Sequence, residues 1–158
     1  MRKSIYFAAA LALAGCVAGN EVEVAAPPAL PTPQQIVAAR QASFHLSGAA
    51  MGNMKAALDQ GGDVARQAYA ARGVARWARV LPTLFPDSTQ GVMPSRARPE
   101  IFANRADFEA KAAAYADAAT RLVEAAQSGD REAFAVQLRA TSQTCAACHE
   151  LYQVPQAR

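Results

Sequence analysis

The sequence predicts an all-α protein, an antiparallel four-helix bundle. Three observations carry that reading. About a quarter of the 158 residues are Ala, with only 9 Gly and 9 Pro, a composition that favours helix. Four segments, each of about 22–29 residues, repeat apolar side chains at helical spacing, mostly by sevens. No segment sustains the apolar–polar alternation of a strand. The length fits one domain with short extras, and no apolar run reaches the ~18 residues of a membrane span. A formal charge of +3 is too small to argue for nucleic acid as a partner.

The chain opens with an export pattern. Arg2 and Lys3 form a basic start, and Ile5 to Ala14 an apolar stretch of about ten residues, the length of a secretory signal. Leu13-Ala14-Gly15-Cys16 resembles a bacterial lipobox, in which the Cys is lipidated and the chain is cut just before it. The alternative is an ordinary signal peptide that happens to contain a Cys. Both readings export the protein. Removing residues 1–15 takes away Arg2 and Lys3 and lowers the balance from +3 to +1. Lipidation would use Cys16 and leave Cys145 and Cys148 as the only thiols, a pair that needs an explanation in an oxidising compartment.

Residues 16–33 read as the lipidated Cys and a tether. Pro27, Pro28, Pro31 and Pro33 favour extended chain and hold a domain away from its anchor. The folded part is expected over 34–158, beginning near Thr32 as N-cap with Pro33 after it. The first helix is expected over 34–59, with Val37, Phe44, Met51 and Leu58 spaced by sevens, Met54 between them, and Gly61-Gly62 as the stop. The second runs over 63–84, opened by Asp63, with Val74, Trp77, Leu81 and Leu84 as its stripe and Phe85-Pro86 at its end. The third runs over 99–127, with Ile101, Phe108, Tyr115 and Leu122 spaced by sevens. The fourth runs over 130–154, opened by Asp130 and ended by Pro155, and its stripe includes Phe134, Leu138, Thr141, Cys145, Cys148 and Tyr152. Only the link at 85–98 is long. Ala at so many seam positions brings helices close but supplies little apolar area, so the core is thin unless something else fills it.

Cys145-Ala146-Ala147-Cys148-His149 is the sharpest motif. CxxCH is the attachment signature of c-type haem: two thiols add across the vinyl groups and the adjacent imidazole binds iron. On a helix the two Cys lie three apart on one face and His149 lies four from Cys145, so all three reach one flat group. A large apolar porphyrin would also be the missing core material. Three rivals use the same residues. Zinc needs about four ligands, and only His45 remains as a further His, a hundred residues away. A thioredoxin-like CxxC belongs near a βαβ pattern, which is absent. A structural disulfide or chance spacing is the third.

With that motif near the C-terminus on the last helix, the chain resembles the cytochrome c′ family. Arg40-Gln41-Ala42-Ser43-Phe44, Leu81-Pro82-Thr83-Leu84-Phe85-Pro86 and Ser95-Arg96-Ala97-Arg98-Pro99-Glu100-Ile101-Phe102 carry the likeness further, over residues 34 to 154. The resemblance implies one covalent haem c held by Cys145, Cys148 and His149, with His149 on the metal. It places Arg40 and Gln41 at the haem edge, Arg40 near a propionate, with Arg96 and Arg98 as further propionate candidates. Phe44 falls where the family covers the open face of the iron. Members with Met there are low-spin, and members with Leu or Phe leave the iron five-coordinate. Met51 and Met54 lie two to three turns from Phe44, about 10–15 Å along the axis, and read as core, while His45 reads as a surface or edge residue. One departure is Gln153, four after His149, where the family often has a basic residue. Arg66, Arg72, Arg76 and Arg79 make the second helix basic, either a docking surface for an acidic redox partner or a solvated face.

The expected function is therefore one-electron transfer and binding of small gases (NO, CO) at a haem iron in the bacterial periplasm, anchored through Cys16. A low-spin electron carrier of the cytochrome c-556 type, with a Met sixth ligand, is the alternative. The expected partners are a periplasmic redox protein, a gas ligand, the membrane through the lipid and a second copy of the chain. No catalytic residues are expected.

Overall fold

The structure, a computed structural model, describes residues 29–155. The signal segment, Cys16 and most of the tether lie outside the described residues. Five helices follow: α1 (Pro33–Asp59), α2 (Ala68–Val80), α3 (Glu100–Ala103), α4 (Arg105–Ser128) and α5 (Arg131–Tyr152). Helices α1, α2, α4 and α5 form the four-helix bundle, and the short α3 leads into α4.

Local chemistry sets these boundaries. Thr32 Oγ1 accepts from the Gln35 amide at 3.3 Å while Gln35 Oε1 accepts from the Thr32 amide at 2.8 Å, a reciprocal cap at the start of α1. The chain leaves α1 through Gly61, whose φ of +74° is open to glycine at little cost. At the start of α5, the Asp130 carboxylate accepts from the Ala133 amide at 2.9 Å.

Two expected helices differ from their sequence outline. The segment 63–84 is not one α-helix: it has 3₁₀ turns at Ala65–Gln67 and Leu81–Leu84 around α2. Asp63 accepts from the Ala65 amide, two residues on, which favours a tighter first turn. Pro82 has no N–H to continue the α ladder. The segment 99–127 breaks at Asn104, whose φ of −114° and ψ of 47° are not helical. The fourth helix stops at Tyr152 rather than 154, because Gln153 turns extended and pairs with Ala97 in an isolated antiparallel bridge.

Helix α4 packs along both α2 and α5, whereas α1 meets α2 and α5 over shorter stretches. Phe108, Phe134, Met54, Ile101 and Leu122 are fully buried, among alanines such as Ala71, Ala119 and Ala126. Phe85, Phe108 and Tyr152 stack edge-to-face in series, with centroids 5.0 and 5.5 Å apart. Phe44 and Met51, expected on the α1 seam, are only half-buried, since that part of α1 faces a cleft instead of a neighbour.

The long link is tied at both ends. Arg40, 2% exposed, donates from Nη1 to Leu84 O and Thr89 Oγ1, both at 3.1 Å, and from Nη2 to Ser95 Oγ at 2.8 Å. Its guanidinium also lies 4.3 Å from the centre of the Phe85 ring. Arg105 donates to Phe85 O at 2.7 Å and Pro82 O at 3.1 Å. Beyond the link, the Arg98 amide donates to Tyr152 O and the Val154 amide to Arg96 O, at 3.0 and 2.8 Å.

Candidate haem site

Cys145, Cys148 and His149 lie on α5 on the face turned toward α1, as their spacing predicts. They line a cavity of about 240 Å³ whose walls include Phe44, Met51, Leu81 and Phe108. A second chamber of about 620 Å³, more open, adjoins it and is lined by Gln41, His45, Ser95, Arg96 and Gln153. Phe44, Cys148 and His149 border both chambers. The Phe44 and His149 rings face each other there, with centroids 6.3 Å apart and planes at 70°. Trp77 braces Phe44 from behind, edge-to-face at 5.2 Å.

The donor set fits a c-type haem better than its rivals. Burial pushes both thiols above their usual value, so they stay protonated, unlike the lowered thiolates of disulfide oxidoreductases. The two Cys are free, not disulfide-bonded. Among the described residues no group of three or more His, Cys, Asp or Glu could hold a metal ion alone, which removes the zinc alternative there. Burial, and then the charge of Arg96, lower the His149 value, which keeps the imidazole neutral with a lone pair for a metal.

The remaining expected residues divide. Gln41 lines the outer chamber and donates to Pro94 O at 2.7 Å. Arg96 lines it too, with Nε donating to Val154 O at 2.8 Å. Arg40 borders this chamber, but three of its five N–H groups are committed to the link, a structural role that its expected place beside a propionate did not include. Arg98 lines neither chamber: it sits where the link enters α3, its carbonyl accepting from the Ile101 amide. Met54 is core, 0% exposed, as expected, whereas Met51 is a wall of the inner cavity. Arg66, Arg72, Arg76 and Arg79 are all exposed.

Sequence reasoning missed Lys111 and Tyr115 as cavity residues. Lys111 Nζ is held by both oxygens of Asp107 at 2.8 and 2.9 Å, and the Tyr152 hydroxyl donates to the same carboxylate at 2.5 Å. A hydroxyl on an otherwise apolar stripe was the available signal for Tyr115.

Comparison with known proteins agrees with this geometry. The family described as Cytochrome C′ matches over residues 35–153, nearly the whole bundle. The chain belongs to the cytochrome c′ family. It therefore binds one covalently attached c-type haem. A cytochrome c′ from Pararhodospirillum photometricum is 34% identical over 89 residues, 56% of this chain and 71% of the relative. A solved cytochrome c′ described as having an unusual ligand-controlled dimer dissociation superposes with a TM-score of 0.76 at 30% identity, covering 80% of this chain and 100% of the other. A nitric oxide complex of a cytochrome c′ variant from Alcaligenes xylosoxidans superposes with a TM-score of 0.73 at 25% identity, again over 80% of this chain and 100% of the other.

Proposed function

We propose that this cytochrome c′ is a periplasmic haem protein that passes single electrons and binds small gases such as NO and CO. One observation carries the reading: Cys145, Cys148 and His149 open from one helix face into an apolar cleft whose opposite wall is Phe44. Cys145 and Cys148 would hold the haem by thioether bonds, and His149 would supply one axial nitrogen. When bound, the haem supplies a redox-active iron. The chain's own residues decide what reaches it. Phe44 has no atom that ligates iron, so it would shield a haem held by His149 without supplying a further ligand, which would leave room for a small gas. Leu81 and Phe108 keep the inner cavity apolar, while Gln41 and Arg96 line the outer chamber with donors for the propionates. The nitric oxide complex of the Alcaligenes xylosoxidans protein supports the gas-binding part of the reading.

Cys16 anchors the exported protein to a membrane, and the redox partner meets it in the periplasm. A second copy of the chain is the further partner. Helix α1 exposes Leu46, 72% accessible, beside the exposed Ala49, and the dimer named for the neighbouring structure supports that pairing. The second reading, a low-spin electron carrier, is favoured by one observation: Met51 lines the same cavity as His149. Two measurements test the proposal. Protein made with a cytochrome c maturation system should keep haem on a denaturing gel, and Cys145→Ser with Cys148→Ser should abolish it. Its resting spectrum should be largely high-spin and change on adding CO to the reduced form; a low-spin spectrum with a sulfur-to-iron band would transfer the case to Met51.

A further inference from the structure

The inner cavity is apolar except for a few polar groups, and their hydrogen-bond donors can be followed one by one. Thr144 Oγ1 donates to Thr141 O at 2.7 Å, and Ser142 Oγ to Leu138 O at 3.0 Å. Lys111 Nζ places two of its three N–H groups on the Asp107 carboxylate, which fixes that head group beside its own ion-pair partner. Among the cavity hydroxyls the exception is a pair. Ser47 Oγ on α1 and the Tyr115 hydroxyl on α4 lie 2.9 Å apart, and both line the cavity. Two hydroxyls carry two protons, and their mutual bond uses one. Ser43, one turn earlier on α1, turns its hydroxyl back to Ala39 O at 2.8 Å; Ser47 makes no such bond. Among the described residues, one O–H of the pair has no acceptor.

The pair also lies on the relevant side. Ser47 follows Phe44 by three residues, so both project from one face of α1, across the cleft from His149. Tyr115 is 6% exposed, and burial pushes its phenol up to about 12, so it remains protonated across the physiological range.

We propose that the spare O–H of the Ser47–Tyr115 pair donates a hydrogen bond to a small ligand held on Phe44's side of the cleft. The ligands it favours carry an acceptor atom pointing away from the metal: NO, O₂ and small anions such as azide. This specificity rests on the haem reading above. An apolar wall alone ranks ligands by size, whereas a wall with an unpaired hydroxyl donor also ranks them by the charge on their outer atom.

The test uses the full haem-loaded protein and its reduced CO complex. A donor near the ligand draws electron density onto oxygen and lowers the C–O stretching frequency. The double variant Ser47→Ala with Tyr115→Phe should raise that frequency relative to wild type, and the oxidised form should bind azide about two- to tenfold more weakly, the effect of losing one modest hydrogen bond. Wild type alone gives a second measurement: its C–O band should move between H₂O and D₂O. An unchanged stretch in the double variant, or a wild-type band indifferent to D₂O, would overturn the proposal and leave the pair as a tie between α1 and α4. A haem assay on the same samples separates the two levels: protein without haem would bring down the functional reading and this inference together, while haem with an unmoved stretch would bring down this inference alone.

Discussion

Phe44 on α1 and His149 on α5 meet edge-to-face across the cleft, their ring centroids 6.3 Å apart. The phenyl ring borders both chambers with the imidazole, so its chemistry bears directly on how the cleft treats a ligand. Phe44→Ala should speed CO binding to the reduced protein. Its cost should be about 2–3 kcal/mol, below the range for a fully buried ring, because Phe44 is only half-buried where it packs on Trp77 and the core. Phe44→Met should instead drive the spectrum toward low-spin by bringing sulfur to the same place. Stopped-flow CO binding and the visible spectrum check the two substitutions.

Arg40 should behave as a structural residue. Arg40→Met leaves Leu84 O, Thr89 Oγ1 and Ser95 Oγ short of a donor and removes the cation from the Phe85 face. The expected loss is about 3 kcal/mol or more, read from urea unfolding, with haem still attached. Arg40→Lys keeps the charge but not the fork, and should recover part of that loss. A neutral Arg40→Met would show that the link holds without the clasp.

The Asp107–Tyr152 bond should leave a pH signature. Hydrogen bonds from Lys111 and then Tyr152 hold the Asp107 carboxyl below its usual range. Its stabilisation is therefore present above the ordinary aspartate range and lost as pH falls through the lowered folded value. The Tyr152 phenol is pushed up to about 12, chiefly by donating to Asp107. Its contribution is full below about pH 10 and fades as pH rises toward that value. Tyr152→Phe should flatten the alkaline limb of a stability–pH profile and weaken the acid limb; Asp107→Asn should flatten both. Urea midpoints across pH check this, and a Tyr152→Phe profile that overlays wild type would count against it.

Lipidation should follow the Leu13-Ala14-Gly15-Cys16 pattern. Cells fed a labelled fatty acid should label the wild-type protein, and Cys16→Ala should remove the label while the protein is still exported. A mature N-terminus beyond residue 16 would point to ordinary signal cleavage.

The bundle was legible because its signals are local. Thr32-Pro33, Gly61 and Asp130 fix their helix ends by their own chemistry, and the sevens of Ile101, Phe108, Tyr115 and Leu122 mark a face that is buried in the structure. The haem motif was legible for the same reason, since three residues within one turn and a half meet on one face. What escaped depends on partners distant in sequence. Arg40 reads as a haem-edge residue until Leu84, Thr89 and Ser95 are brought around it. Arg98 reads like Arg96 until the strand-like pairing with the end of α5 separates them. Tyr115 reads as an apolar knob until Ser47, 68 residues earlier, is set against its hydroxyl.

The uneven packing of the bundle bears on the order in which the protein is made. Helix α4 joins α2 and α5 along their length, whereas α1 rests on both more lightly and is clasped to the link by Arg40. On the periplasmic reading proposed above, a new chain can assemble its last three long helices first, with the thiols of α5 still open to the attachment machinery. Docking of α1 then closes Phe44 over the finished site, and the weakest seam of the fold becomes the door through which its cofactor enters.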